Sequence, residues 1–188
     1  MLSSWAFLED GAETAAPRLL GCYIIRELEG QKLVGKIVET EAYDQADAAS
    51  HSYSGQTPRT DVMFGPPGHL YVYFTYGMHY CCNIVTGKTG HGAAVLIRAL
   101  EPLAGEKLMS RNRRDLTGPD MTNGPAKLCQ ALSIDKRLNG HNLKLSPLQL
   151  EIKPAIPKSL IMQATRIGIS HAKNKAWRFY IKNSPFVS

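Results

Sequence analysis

Residues 70–84 read LYVYFTYGMHYCCNI, a run rich in aromatic and β-branched side chains with one glycine in the middle. Such residues suit a pleated surface, and only Gly77 can reverse the run without steric cost. The pattern predicts a β-hairpin. Strand one covers Leu70–Thr75, strand two covers 78–86, and Tyr76-Gly77 forms the tip with Gly77 at positive φ. This much antiparallel pairing in one stretch commits the chain to an antiparallel sheet. Tyr71 and Tyr73 share a strand face, and aromatics so placed commonly pack in a core. Tyr76 has no such place. A ring at a hairpin tip stays uncovered unless a partner covers it. A nucleic-acid stack is one such partner, because side-chain wedges enter between bases and hold a duplex open.

Other segments extend the sheet. A short helix is expected over 14–20, with Thr14 as cap and Gly21 as stop. CYIIREL and KLVGKIVETEAY read as two strands turning at Glu29-Gly30. Residues 44–54 read as loop with one helical turn. GQTPRTDVMFGPPGH holds three prolines and three glycines and is expected to be irregular. AAVLIRAL, residues 93–100, is a nearly continuous apolar strand, after which Pro102 is expected to open a helix running to about Arg114. Asn123-Gly124-Pro125 predicts another helix start. Residues 137–160 are loop-rich with a short strand at LQLEIK, and RIGIS and WRFYI read as closing strands. The 188 residues suit one domain, spanning 1–188. The expected class is mixed α/β: a curved antiparallel sheet flanked by helices, with a protruding hairpin.

Two charged positions break the apolar pattern. In GKIVETEAY, alternation puts Glu39, Glu41 and Tyr43 on one face and Val38, Thr40 and Ala42 on the other. A solvated edge would account for the carboxylates on their own. Arg98 argues otherwise, because it interrupts AAVLIRAL on the face of Leu96 and Leu100. An unpaired guanidinium there would be costly, so a carboxylate from another strand is expected beside it, with Glu39 and Glu41 as candidates. An arginine so placed favours the charged form of its partner, and a fixed carboxylate can serve as a general base toward water. His51, in ASHSY, reads by itself as a hydrogen-bonding loop residue.

Several classes are excluded or unsupported. The cysteines Cys22, Cys81, Cys82 and Cys129 form no CxxC pair, and there is no HExxH, so no catalytic metal and no cofactor are expected. Buried, reduced thiols are expected instead, with Cys81 and Cys82 on opposite strand faces. The N-terminal MLSSWAFLEDGAET lacks a basic region followed by an apolar stretch, and no apolar run is long enough to span a membrane. Lys plus Arg is 22 against 16 Asp plus Glu, a net +6 that suits a polyanion partner.

The segments PRLLG, GKIVETEAY, ASHSYSGQTPR, MFGPPGHLYVYFTYGMHYCCNIV, VLIRALEPLAG, NGPAKLCQAL, RIGISHA and RFYIKNSPFVS together resemble the alkyladenine (3-methyladenine, or methylpurine) DNA glycosylases, in order and over nearly the whole chain. The resemblance implies base-excision repair of alkylated or deaminated purines in double-stranded DNA. The candidate lesions are 3-methyladenine and 7-methylguanine, with hypoxanthine and ethenoadenine beyond them. It implies Glu41 as the general base, Arg98 as the arginine that helps hold the attacking water, and Ile167 as a residue whose carbonyl touches it. Tyr43, His51, Tyr73, Asn83 and Leu96 would form the pocket for the flipped base. Tyr76 would intercalate, with Met78 beside it on the DNA surface. Gly124 and Lys127, at a helix start, are expected to contact phosphate. The enzyme would act as a monomer, beside the nucleoid in a prokaryotic cytoplasm or in a eukaryotic nucleus. This sequence departs from the family at His79 and Cys82 in the hairpin and in a slightly shortened stretch between His51 and Thr57. A non-catalytic nucleic-acid-binding module remains the alternative, and Glu41 with Arg98 discriminates against it. A small-molecule nucleosidase would need neither an exposed Tyr76 nor a basic surface.

Overall fold

The computed structural model describes residues 4–188; residues 1–3, the first of the N-terminal stretch read for a targeting signal, lie outside it. After a 3₁₀ turn at Trp5–Asp10 come helix α1 (Ala12–Leu19) and strands β1 (Tyr23–Leu28) and β2 (Gln31–Tyr43). The hairpin is β3 (Leu70–Thr75) and β4 (His79–Val85), followed by β5 (Ala94–Ala104), α2 (Glu106–Asn112) and α3 (Pro125–Ala131). Strands β6 (Leu148–Glu151), β7 (Ile161–Ala164) and β8 (Arg178–Ile181) complete the described residues. They form one antiparallel α/β sheet in the order β3-β4-β5-β2-β1-β6. β8 joins β2 at Glu39–Glu41, beyond the end of β1, and β7 pairs with β8. β2 therefore carries neighbours along its whole length, and the sheet curls around it as a half-barrel.

Register divides the sheet into two faces of different chemistry. Val72, Cys82, Ile84, Val95 and Ile97 pack against Ala15, Ala16 and Leu19 of α1 and against Leu128 and Cys129 of α3. Each fully buried leucine or isoleucine contributes about 1.5–3 kcal/mol, so this face supplies most of the favourable burial. The other face is set by the pairs Tyr73↔Cys81, Tyr71↔Asn83, Asn83↔Leu96 and Leu96↔Glu41, because residues directly opposite share a face. Aromatics, an amide and a carboxylate from four strands are thereby lined up on one side.

The hairpin tip is one residue wider than expected, because Thr75 pairs with His79 and Met78 lies in the turn. Tyr76 has φ 52 and Gly77 φ 67, so both central residues are left-handed, as in a type I′ turn, closed by Met78 N–H donating to Thr75 O at 3.3 Å. A tyrosine held there costs on the order of 1–3 kcal/mol, and such strain tends to collect at functional sites. Strand two starts at His79 rather than at 78 and ends at Val85.

Three other expectations need correction. α1 begins at Ala12, not Thr14: Ala12, Ala15 and Ala16 are buried on the core side, and Ala15 N–H bonds Gly11 O at 3.0 Å. No helix opens at Pro102; β5 runs on to Ala104, pairing Gly35↔Pro102 and Val34↔Ala104. Proline is tolerated there because β4 flanks β5 only at Ala94–Leu96, leaving that edge without a ladder partner. RIGIS is not a strand. Its arginine turns inward to Asp47 and to the Ala42 carbonyl, and Gly168 takes φ 75. The strand that pairs with β8 is the preceding Ile161–Ala164. The four cysteines are free and buried, with Cys81 and Cys82 on opposite faces of β4 as expected.

Candidate active site

At the centre of the polar face the ladder between β2 and β5 slips twice, on either side of Glu39, and Arg98 sits at the slip. Irregular pairing of this kind re-aims side chains. Glu39 and Glu41 are both fully buried and Arg98 is 7% exposed, so the solvated-edge reading fails. Arg98 Nη1 lies 3.3 Å from Glu41 Oε1, and its Nε lies 3.5 Å from Glu39 Oε1. The two carboxylates otherwise have different company. Glu39 accepts from Arg178 Nη1 at 2.7 Å and from the Ser188 backbone N–H at 2.8 Å. Glu41 accepts the Tyr43 hydroxyl at Oε2, 2.7 Å, and the Ile167 N–H at Oε1, 2.8 Å. Ile167 thus touches Glu41 through its N–H, a contact distinct from the carbonyl role implied by resemblance.

In front of this cluster lies a cavity of about 500 Å³. Tyr43, His51, Tyr73, Asn83, Leu96, Arg98 and Ile167 are all in its wall, and Tyr76 stands at its rim. Glu41 itself is one layer behind, touching Arg98, Tyr43 and Ile167 from the inside. The His51 ring meets Tyr73 edge-on, centroids 4.5 Å apart, and its Nδ1 is 3.0 Å from the Tyr71 hydroxyl. His51 as a residue leaves part of its surface to solvent, but its packed ring and then the nearby Arg59 charge push its pKa down, favouring neutral imidazole. Burial first, and then the Glu41 charge, raise the Tyr43 pKa; burial likewise raises that of Tyr73. Both phenols therefore stay protonated as donors. Asn83 Nδ2 donates to the Tyr71 carbonyl at 3.1 Å, which fixes the amide in the wall.

The hairpin tip stands clear of the sheet, with Tyr76 81% and Met78 69% exposed. Gly124 and Lys127 are not in the cavity wall; Pro125, between them, is. Lys127 Nζ is held by Asp120 Oδ1 at 3.0 Å and Asn123 Oδ1 at 2.7 Å.

Sequence reasoning passed over a second buried ion pair. Arg166 and Asp47 form a salt bridge with both side chains fully buried. The guanidinium also donates to the Ala42 carbonyl at 2.8 Å and lies over the Tyr43 ring at 4.7 Å and the Trp177 ring at 5.4 Å. It pins the segment carrying Ile167 to the end of β2 and backs Tyr43 from behind. The signal lies in an arginine beside Ile167 and in two aspartates, Asp44 and Asp47, in DQADAAS. Arg59, in TPR, is a second such residue, its guanidinium 6.0 Å from the Tyr73 ring centroid.

The sequence of the chain matches the family model described as methylpurine-DNA glycosylase over residues 6–185. It is 52% identical over 174 residues to a Carboxydothermus hydrogenoformans protein named "Putative 3-methyladenine DNA glycosylase", covering 92% of this chain and 91% of the relative. Proteins of the same name from Methanoculleus marisnigri and Francisella tularensis are 48% identical (97% of this chain, 96% of the relative) and 50% identical (93% and 92%).

Proposed function

The chain belongs to the methylpurine-DNA glycosylase family, and from that premise we propose that it flips alkylated or deaminated purines from duplex DNA and hydrolyses the N-glycosidic bond with a water activated by Glu41. The observation that carries this reading is a buried carboxylate, tied to an arginine and a tyrosine, directly behind an aromatic cavity beside an exposed tyrosine tip.

A glycosidic carbon inside a duplex is out of reach, so the nucleotide must leave the stack. Tyr76 fills the space it vacates, and Met78 rests on the neighbouring surface. The ejected base enters between Tyr43 and the His51–Tyr73 pair. Electron-rich ring faces favour a cationic purine such as 3-methyladenine, which is also a good leaving group. Asn83, fixed by Tyr71, screens exocyclic groups; Leu96 closes the floor. A carboxylate offers about four acceptor directions. Tyr43 and Ile167 occupy two of them on Glu41, and Arg98 lies 3.3 Å from Oε1 as an ion pair, which leaves acceptor capacity for a water. Bond cleavage builds oxocarbenium character on the sugar, which a nearby carboxylate stabilises, and Glu41 takes the water's proton as attack proceeds. No lysine Schiff base is required, so the product is an abasic site in an intact strand. Gly124 and Lys127 lie at the edge where phosphate would pass, and Lys127 would exchange Asp120 for the backbone. Activity from a panel of duplexes, each with one defined lesion, tests the substrate range; release from none would refute the reading.

The wedge role of Tyr76 gives a separate expected outcome. Tyr76→Ala should leave the melting temperature unchanged, because the side chain covers almost nothing. Base–aromatic stacking is worth roughly 1–3 kcal/mol, so flipping should become about 5- to 150-fold less favourable. The loss should be smallest for lesions that pair poorly, which cost least to extrude. Thermal melting and excision from matched and mismatched lesion duplexes check this together. A large fall in melting temperature, or full activity on every duplex, would remove the wedge from the account.

A further inference from the structure

The hairpin and the start of α3 form a ridge with an opening on each side. On one side is the cavity described above, with Tyr73, Cys81 and Pro125 in its wall. On the other is a groove of about 930 Å³ that runs from Met78 and His79 past Tyr80 and Ala126 to Arg113 and Arg114. The alternation of β4 accounts for the division. Cys81 faces the cavity, whereas Tyr80 and Cys82 face the other way, Tyr80 into the groove and Cys82 into the core beneath α3.

The groove carries cationic charge that the protein does not itself neutralise. Arg114 is exposed and has no ion pair among the described residues. Arg113 donates to the Gln130 side chain and, at 3.2 Å, to the Asp120 carbonyl, but its buried Nε has no hydrogen-bond partner. Only Arg137 is matched, by Asp135, the acidic residue of the lining. Two guanidiniums beside a tyrosine in an open groove fit a phosphodiester, which the planar fork of arginine binds bidentately.

We propose that this groove holds the sugar–phosphate backbone of the strand opposite the lesion. The inference rests on the reading of Tyr76 as a wedge in DNA and extends it to the second strand. A duplex minor groove is about 6 Å wide and walled by two backbones, so a hairpin entering it turns one face to each. The face bearing Tyr73 and Cys81 meets the lesion strand, because its cavity must receive the extruded base. The face bearing Tyr80 meets the other strand, and Arg113 and Arg114 lie on that side.

The test uses Arg114→Ala, a substitution at an exposed position, and three lesion duplexes: unmodified, with neutral methylphosphonate linkages in the opposite strand, and with the same linkages in the lesion strand. On the unmodified duplex the variant should bind about tenfold more weakly, and its slope of log K against log salt should fall by about one. The defect should vanish when the opposite strand is neutral and persist when the lesion strand is neutral. An undiminished affinity on the unmodified duplex overturns the proposal, as does a defect that vanishes only when the lesion strand is neutral. A defect that persists on both neutralised duplexes also overturns it. Wild-type protein that excises normally while Arg114→Ala shows no defect sinks this inference alone. Wild-type protein that neither binds nor excises from any duplex sinks the functional reading with it.

Discussion

Glu41→Gln is expected to hold lesion duplex as tightly as the wild-type protein and to lose about 10²–10⁴-fold in base release, the usual range for removing a general base. The substitution keeps the shape and one acceptor oxygen, so the Ile167 N–H retains a partner. The Tyr43 hydroxyl can rotate to accept from the new amide, so the fold should survive. What disappears is the capacity to take a proton from water. Glu39→Gln is the control. Glu39 is taken up by Arg178, Arg98 and the Ser188 N–H, so it acts as a strut and its loss should cost stability more than chemistry. Single-turnover excision and equilibrium binding on the same preparations separate the two. Near wild-type excision by Glu41→Gln, with excision lost in Glu39→Gln, would transfer the base role to Glu39.

Arg98→Met should be the most destabilising change at the site. It removes the cation between two fully buried carboxylates, leaving Glu41 without an ion pair beside a Glu39 that Arg178 still holds. Breaking a buried pair in this way costs about 3–5 kcal/mol, because the remaining charge is desolvated without compensation. For a chain of this size each kcal/mol moves the melting temperature by roughly 2–4 °C, so a fall of about 6–20 °C is expected. Replacing Glu39 by Gln in the same protein removes the like charge beside the stranded Glu41 and should return part of the loss, a non-additivity expected of groups in one network. Thermal unfolding of the single and double variants measures it. A single-variant loss below about 1 kcal/mol would mean that Arg98 stabilises neither carboxylate.

The pairing of Arg98 with Glu39 and Glu41 was legible because a charged residue inside an apolar strand must find a partner, and sheet register makes that partner a neighbouring strand; the choice of Glu41 as base came from the resemblance alone. Tyr76 was legible because a tyrosine beside glycine between two β-rich runs has one place to go. The left-handed conformation of Tyr76 itself was not, since only glycine advertises positive φ. The Arg166–Asp47 pair joins residues 119 apart in sequence, and no local pattern encodes that distance. The same pair explains the misread closing strand: RIGIS has strand composition, but burying Arg166 against Asp47 and Ala42 O pulls it out of the ladder. Pro102 misled for a related reason. A proline's missing N–H suits a helix start and an unflanked strand edge equally well, and only the short reach of β4 decides between them. The separation of the sheet into an apolar face and a site face follows from residue alternation. The slip at Glu39 that sets Arg98 between the carboxylates is a tertiary feature.

The central claim is that a water activated by Glu41, and no covalent enzyme intermediate, breaks the glycosidic bond. Product analysis of a single turnover on a duplex carrying one 3-methyladenine, run in ¹⁸O-labelled water with and without borohydride, tests it most directly. The account predicts free 3-methyladenine in equal amount to an intact strand with an abasic site, ¹⁸O on the sugar's anomeric carbon, and no trapped protein–DNA adduct. A borohydride-trapped adduct, a strand nicked before alkali, or no released base would contradict it.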